Sequence, residues 1–436
     1  MNPLAVELNA KIAAENPLVL ELLSDLGKRM YFPSKGILSQ SAEAKAMGKR
    51  FNASIGTALE VGKAMHLGCV MQQLGEFNVD EALLYAPSPG IAELRQGWRQ
   101  KNLHDNPDLQ GAACSLPVVT NGLSGALSVA ADLFINPGDT VLLANMNWDN
   151  YHLNFGDRCQ AKLEFYNYFA GNGLDLEAFR AALQKYQAGE KLLVILNFPN
   201  NPSGYTATEK EGCALAQALL QSAERGVNMV VLIDDAYFGL FYDSEIMQQS
   251  LFSKLAGKHP RLMAIKADAA TKEVYVWGLR VGFITFSIGG VAENSPLYAA
   301  LEAKAAGIIR STISNCSMLS QKIIACALRD PEFYAQRAAK AELMQKRALK
   351  VREVLRNNPT WLKHFEAYPF NSGYFMCLKL KKIDAEALRV HLLKQYQAGT
   401  ISITPTDLRI AFSCLEENEI PALFETIYQA CEDLGS

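Results

Sequence analysis

The sequence predicts an α/β protein in which a mostly parallel, doubly wound sheet is joined to a smaller α+β domain. Between about residues 116 and 286, short apolar runs of strand length alternate with amphipathic helical stretches. The runs are rich in Val, Ile, Leu and Phe without regular alternation, which is typical of parallel strands covered on both faces. The predicted strands are 117–120, 140–144, 162–166, 192–197, 229–234, 262–265 and 281–286, and the helices between them include 176–186 and 210–224.

The rest of the chain predicts the smaller domain. The first 45 residues have apolar positions at helical spacing, interrupted by Pro17 and Pro33. The C-terminal part has helical and strand-like segments at 331–357, 374–380, 401–403, 408–413 and 417–432. Because 436 residues are many for one core, we expect a large domain of residues 67–335 and a small domain of residues 1–66 together with 336–436.

Composition narrows the class of protein. Hydrophobic residues at 49% and charged residues at 20% describe an ordinary globular chain, and a net charge of -3 gives no reason to expect a nucleic-acid partner. Nine cysteines without a C-x-x-C pair favour reduced thiols in a cytoplasmic protein. The N-terminus lacks the pattern of a secretory signal, and no run of about 18 apolar residues predicts a membrane span. No metal is expected.

Two polar segments follow predicted strands, where ligands bind in open α/β sheets. Asn-Pro-Ser-Gly at 201–204 comes after one strand, and Asp234 ends another, with Tyr237 shortly beyond. Asp234 follows five apolar residues, so its carboxylate should be buried and should need a cationic or hydrogen-bonding partner. A local turn at 201–204 and a helix N-cap at Asp234 are the alternative interpretations.

Two further segments could hold an anion and a flat ring. Thr-Asn-Gly-Leu-Ser-Gly at 120–125 leads from a strand into a helix, and a helix N-terminus with glycines suits a phosphate. A plain glycine turn would have the same sequence. Trp148 follows the strand at 140–144 and could stack on a planar cofactor, although a single tryptophan is more often core.

The segment around Lys272 connects these signals. Ala-Ala-Thr-Lys at 269–272 is followed eight residues later by Arg280, and Arg409 lies in an apolar strand near the C-terminus. In order along the chain, these segments resemble the class I pyridoxal-phosphate aminotransferases of fold type I, with the aspartate and aromatic branch closest. The resemblance runs from about Asn52 to the C-terminus.

The resemblance implies the cofactor, pyridoxal 5'-phosphate, and a role for each matching residue. Lys272 would be the Schiff-base and proton-transfer lysine, with Asp234 at the ring nitrogen and Tyr237 at the phenolic oxygen as the other catalytic residues. The remaining cofactor contacts implied are Gly122, Leu123, Ser124 and Arg280 at the phosphate, Trp148 on the ring and Asn201 at the phenolic oxygen. Lys266 is a rival for the lysine, but its spacing to Arg280 does not match the family.

The resemblance also implies substrate contacts and a homodimer with shared active sites. Arg409 would bind the substrate α-carboxylate, and Ile55 and Gly56 lie in a segment similar to the one that covers the substrate. Tyr85 would reach the phosphate of the neighbouring subunit. Arg310, in a segment that resembles the one crossing the dimer interface, would bind a distal carboxylate.

The sequence departs from the family pattern at two positions. Ala269 stands where the family usually has a phosphate-binding serine, and neither Thr271 nor Asp268 can be assumed to replace it. Tyr151 stands where a histidine often supports the ring-nitrogen aspartate, with His152 adjacent.

We therefore expect ping-pong transfer of an amino group from a dicarboxylic or aromatic L-amino acid to a 2-oxo acid. A pyridoxal-phosphate lyase that performs β-elimination or decarboxylation would use the same residues. A regulatory module fused to a DNA-binding domain is the alternative from another class, but the first 115 residues show no basic stripe.

Overall fold

The computed structural model describes residues 1–15, 17–31 and 36–435, and its centre is a seven-stranded sheet. All seven predicted strands are present, and Thr140–Ala144 and Lys162–Tyr166 have the predicted bounds. In spatial order the strands are Val118–Asn121, Val281–Ile288, Leu262–Ala269, Asn228–Asp234, Lys191–Asn197, Thr140–Ala144 and Lys162–Tyr166. The mixed α/β fold class predicted from the sequence is confirmed.

One strand does not run parallel to the others, contrary to what its apolar composition suggested. Val281–Ile288 is antiparallel to both neighbours, Leu262–Ala269 and Val118–Asn121. The connection before it, residues 270–280, holds only a helical turn at Ala270–Glu273 and a 3₁₀ turn at Trp277–Leu279. A parallel return requires a crossover of a dozen or more residues, so this short connection brings the chain back antiparallel.

Helices cover both faces of the large sheet. Successive residues of Asn228–Asp234 belong to two different hydrophobic clusters, Val230 and Leu232 to one and Met229, Val231 and Ile233 to the other. This burial on both faces explains the absence of polar alternation in the sequence. The helices of this part of the chain are Gly68–Met71, Val79–Leu83, Ala92–Asp105, Gly122–Phe134, Leu176–Gln184, Glu209–Glu224, Phe252–Leu255, Pro296–Thr312 and Met318–Ala327, and a π-helix spans His152–Arg158.

A four-stranded antiparallel sheet forms the C-terminal part, with strand order Phe365–Ala367, Phe375–Leu380, Asp407–Ala411 and Ile401–Thr404. Helices Phe333–Asn357, Ala385–Tyr396 and Ile420–Gly435 pack with it. The N-terminal segment joins the same region, because Phe51–Asn52 pairs with Ala398–Gly399. The short hairpins Leu59–Glu60 with Lys63–Ala64 and Phe169–Ala170 with Gly173–Leu174 complete the strands described.

The first residues are helical, as predicted, in Pro3–Glu15, Pro17–Leu22, Asp25–Arg29 and Ile37–Met47. Pro17 begins a helix, a position where its missing N–H group costs nothing. Pro33, the second predicted interruption, lies outside the described residues. Within the described ranges, no helix is long and apolar enough to cross a membrane. All nine cysteines are free thiols.

Two clusters of charged side chains are buried beside the large sheet. In the first, Lys266 Nζ lies 2.8 Å from both Asp235 Oδ2 and Asp268 Oδ2. In the second, Lys101 Nζ lies 2.9 Å from Asp105 Oδ2 and 2.8 Å from Glu273 Oε2. A lone buried charge is costly, and each buried charge in these clusters is stabilised by a group of opposite charge in contact with it.

Lys101→Met is expected to lower the free energy of unfolding by about 3–5 kcal/mol, because two buried carboxylates would then share the single guanidinium of Arg337. Chemical denaturation at neutral pH measures the change. Lys346→Met removes an exposed pair with Glu342 and serves as the control, for which little change is expected. An unaltered denaturation profile for Lys101→Met would contradict the structural role of this cluster.

Candidate active site

One cavity gathers most of the residues singled out in the sequence. It lies where the parallel strands of the large sheet end, because Asn197 and Asp234 are the last residues of adjacent strands and are paired in register. Ten predicted residues line it: Gly56, Leu123, Ser124, Trp148, Asn201, Asp234, Tyr237, Lys272, Arg280 and Arg409.

Asp234 is buried at the base of this cavity and is held by three hydrogen bonds. Tyr151 Oη donates to its Oδ2 at 2.5 Å, while Asn197 Nδ2 at 3.2 Å and the backbone N–H of Ala236 at 3.0 Å donate to its Oδ1. Burial raises the pKa of Asp234 to about 6, against the opposing effect of the bond from Tyr151. The carboxylate is therefore fixed in position and favours a cationic partner in the cavity.

Lys272 presents its amine to the same cavity. Burial lowers the pKa of Lys272 to about 8, with the nearby charge of Asp234 opposing the shift and that of Arg280 adding to it. Its Nζ lies 4.9 Å from the centre of the Tyr237 ring. A lysine with a pKa this close to neutrality has a usable fraction of uncharged amine, which is the nucleophilic form.

Lys266, the rival lysine, is in a different environment. Burial alone would lower the pKa of Lys266, but the carboxylates of Asp235 and Asp268 outweigh this effect and raise it. Its amine is therefore held as a cation between two acids, and the side chain does not line the cavity.

Arg280 stands beside the start of the helix Gly122–Phe134. The backbone N–H of Gly122 donates to the carbonyl of Arg280 at 3.0 Å, and a Cβ on Gly122 would lie 2.2 Å from Arg280 Nη2. A Cβ would therefore displace the guanidinium from this position, and the φ of +68° favours glycine. The helix has no side-chain cap at its N-terminus, so the N–H groups of its first turn that follow Gly122 are available to an anion next to the guanidinium.

Arg409 lies on another side of the cavity and is also buried. Its Nη1 donates to Asn201 Oδ1 and its Nη2 to the carbonyl of Ser54, each at 3.0 Å, while its Nε has no hydrogen-bond partner. The guanidinium stacks on Phe375, with Cζ 4.2 Å from the ring centre. Gly56 lies close by, since a Cβ there would contact Phe375 and the hydroxyl of Tyr237.

Four predicted residues do not line the cavity of a single chain: Gly122, which lies beside Arg280, and Tyr85, Arg310 and Ile55. Tyr85 is 87% exposed, and Arg310 is also exposed, with its Nη1 donating to Ser314 Oγ at 2.6 Å. Ile55 packs partly buried against the core beside Gly56. Roles for Tyr85 and Arg310 at an active site therefore require a second subunit.

The cavity also contains residues that the sequence reasoning did not assign to a ligand: Ile37, Tyr151, Asn197, Ala236, Thr271, Trp277 and Phe375. Asn197 could have been found, because a polar residue that ends an apolar strand is the same signal that marked Asp234. Ile37 and Phe375 carry no such signal, since each is one apolar residue among many in its element. Trp277 lies between Lys272 and Arg280 in the chain, but nothing in the sequence gave it a contact.

Comparison with known proteins agrees with this geometry. The family model for aminotransferase class I and II matches residues 58–427. The cytoplasmic aspartate aminotransferase of Saccharomyces cerevisiae is 27% identical over 241 residues, covering 54% of this chain and 56% of that protein. The aromatic-amino-acid aminotransferase of Paracoccus denitrificans is 24% identical over 356 residues, covering 79% and 83%. The first of these matches spans only about half of the relative's length.

A solved aminotransferase from Anaerococcus prevotii has the same fold, with a TM-score of 0.81, 20% identity and coverage of 92% of this chain and 98% of that one. This likeness extends over the N-terminal and C-terminal parts as well as the large sheet. The chain thus belongs to the class I and II aminotransferase family, whose members depend on pyridoxal phosphate and share the type I fold.

Proposed function

We propose that this protein is a pyridoxal-phosphate-dependent aminotransferase that moves an amino group from a dicarboxylic or aromatic L-amino acid to a 2-oxo acid by a ping-pong mechanism. One observation carries the proposal. Two buried or half-buried guanidiniums, Arg280 and Arg409, line the same cavity as Lys272, and no carboxylate in the described ranges forms an ion pair with any of the three within 4.0 Å. Such a cavity suits two anionic groups on either side of an electrophile that reacts with an amine.

The residues present fit the cofactor. Gly122 leaves room beside Arg280 that a Cβ would fill, and the uncapped helix start offers N–H groups for a phosphate. Arg409 Nε and Trp277 Nε1 are buried donors without a partner. These unused donors and the unpaired guanidiniums support an anionic ligand in the cavity.

Pyridoxal phosphate, when bound, supplies an electrophilic carbon and a ring that stabilises negative charge at the substrate Cα. Arg280, Gly122, Leu123 and Ser124 would hold its phosphate, and Trp148 would offer a flat surface to its ring. Asp234 would hold a proton on the ring nitrogen. Because Asn201 Oδ1 accepts from Arg409, its Nδ2 stays free to donate to the phenolic oxygen, as would the hydroxyl of Tyr237.

Lys272 would be the proton carrier. Its lowered pKa lets the uncharged Nζ remove a proton from the substrate Cα and later return it, which a lysine of ordinary pKa does poorly near neutral pH. Arg409 would fix the α-carboxylate through paired N–H donors, so that the Cα proton lies within reach of Nζ.

We include in the proposal a homodimer whose partner completes each active site. Tyr85 lies just after the helix Val79–Leu83, where Val79, Leu83 and the following Leu84 are exposed apolar residues. Exposed apolar clusters of this kind mark interaction surfaces. A partner subunit that covers it would also allow Tyr85 and Arg310 to contribute to the neighbouring cavity.

The domain division at residues 67–335, with 1–66 and 336–436 as the small domain, is likewise proposed, and the two separate sheets support it. A cytoplasmic location is proposed from the nine free thiols. The aminotransferase names of the matched relatives favour transamination over a lyase reaction.

Lys272, and not Lys266, is expected to form the covalent adduct with pyridoxal phosphate. Borohydride reduction followed by peptide mass spectrometry locates the adduct. Its rate of formation should rise roughly tenfold from pH 7 to pH 9, as the amine with a pKa of about 8 loses its proton. Lys272→Ala is the control without the amine, and an adduct on Lys266 would contradict the assignment.

Half-reactions with single amino acids are expected to convert the bound cofactor to its amine form with release of one oxo acid per site. Absorbance spectra with aspartate, glutamate, phenylalanine and tyrosine test cofactor, reaction and donor together. A 2-oxo acid should then restore the starting spectrum. Continuous release of pyruvate and ammonia without an acceptor would instead identify a lyase.

Arg310→Gln is expected to lower kcat/KM for aspartate and glutamate by roughly 30-fold or more and to leave phenylalanine and tyrosine nearly unchanged, because only the former lose a charge partner. Steady-state kinetics with both substrate classes measure the difference. Arg356→Gln, at another exposed arginine, is the matched control. Equal effects on both classes would rule out a role in distal carboxylate recognition.

A further inference from the structure

The phosphate end of the cavity lacks one side chain that the family pattern would supply. Ala269 is the last residue of its strand and pairs with Gly282, which packs against the start of the helix at Gly122 so closely that a Cβ on Gly282 would lie 2.3 Å from the carbonyl carbon of Gly122. Ala269 thus stands next to the anion-binding helix start but has no hydroxyl to offer.

A second hydroxyl is available two residues further along the chain. Thr271 lines the cavity, is 4% exposed, and its Oγ1 is buried without a hydrogen-bond partner. A buried hydroxyl without a partner is unfavourable, so the position favours a ligand that pairs with it. Thr271 also adjoins Lys272 and therefore cannot move away from the site independently.

The other neighbouring polar group is unsuited to a phosphate. Asp268 accepts hydrogen bonds from Trp98 Nε1 and Lys266 Nζ, both at 2.8 Å, and does not line the cavity. Its negative charge would also repel an anion. Trp277 Nε1 is the remaining unpartnered donor of the cavity from the same segment of the chain, and it provides a comparison for the test.

We propose that Thr271 Oγ1 donates a hydrogen bond to the phosphate of pyridoxal phosphate and so replaces the hydroxyl missing at Ala269. This inference rests on the proposed cofactor and assigns one more residue to its binding. The hydroxyl would act together with Arg280 and the helix start at Gly122, each supplying donors from a different element. The protein would then retain its affinity for the phosphate although Ala269, at the family's serine position, has no polar side chain.

Binding of two aldehydes to the full-length protein freed of cofactor tests the assignment. Thr271→Val keeps the shape of the side chain and removes the hydroxyl. It is expected to weaken pyridoxal phosphate roughly tenfold or more, because hydrogen bonds to charged groups are the stronger ones, and to leave pyridoxal, which has no phosphate, unchanged. Calorimetric titration with inorganic phosphate should show the same loss.

Rescue and control variants make the result specific. Thr271→Ser should bind like the wild type, and Ala269→Ser added to Thr271→Val should restore binding. Thr285→Val removes another buried, unpartnered threonine hydroxyl that does not line this cavity, and it should change nothing.

Three outcomes would overturn the assignment. Thr271→Val could bind both aldehydes like the wild type, or lose both equally, which would indicate altered packing. If Trp277→Phe loses phosphate binding and Thr271→Val does not, the hydrogen bond to the phosphate comes from the indole of Trp277 and not from Thr271. If the wild type itself does not bind pyridoxal phosphate, the proposed function fails as well, whereas the other outcomes leave it intact.

Discussion

Buried positive charge without paired carboxylates is the constraint on which the site depends. Lys272, Arg280 and Arg409 face one cavity, where Asp234 is the one carboxylate among the lining residues described. Burial lowers the pKa of each of the three cations, so the interior resists their charge. Anionic ligands relieve this cost, and the cavity is therefore organised around groups that the chain itself does not provide.

The large sheet makes this arrangement possible because it separates the buried ion-pair clusters from the charged residues that line the cavity. Neighbouring residues on a strand point to opposite sides, so Asp234 meets Tyr151 in the cavity while Asp235 meets Lys266 away from it. Lys272 and Glu273 belong to the helical turn Ala270–Glu273 and also face different surroundings, with Glu273 bound to Lys101. Asp234 and Lys272, which line the cavity, are thus each adjacent to a residue that is fixed in a buried ion-pair cluster, which helps to hold the backbone of the site in place.

The strands could be predicted because they depend on local patterns, whereas most of the cavity was predicted through the resemblance to a known family. Apolar runs predicted the seven strands, and polar residues beyond strand ends pointed to Asn201 and Asp234, while the roles of Lys272, Arg280 and Arg409 came from the resemblance. The antiparallel direction of Val281–Ile288 could not be read in this way, since it follows from the length of the connection and not from the strand's composition. Ile37 and Phe375 reach the cavity only through the packing of the N-terminal and C-terminal parts, and no pattern in their own elements reveals it.

The pairing of Asp234 with Tyr151 departs from the family pattern in a way that is compatible with the proposed chemistry. A histidine behind an aspartate can carry a positive charge and cancel that of the carboxylate. Burial and the nearby Asp234 raise the pKa of Tyr151 well above its ordinary value, so the phenol remains neutral and can only donate. The negative charge of Asp234 is then left for a cation inside the cavity. Since burial alone disfavours that charge, a protonated ring nitrogen and an ionised Asp234 would each stabilise the charged form of the other, which is the pairing that the proposed transamination requires.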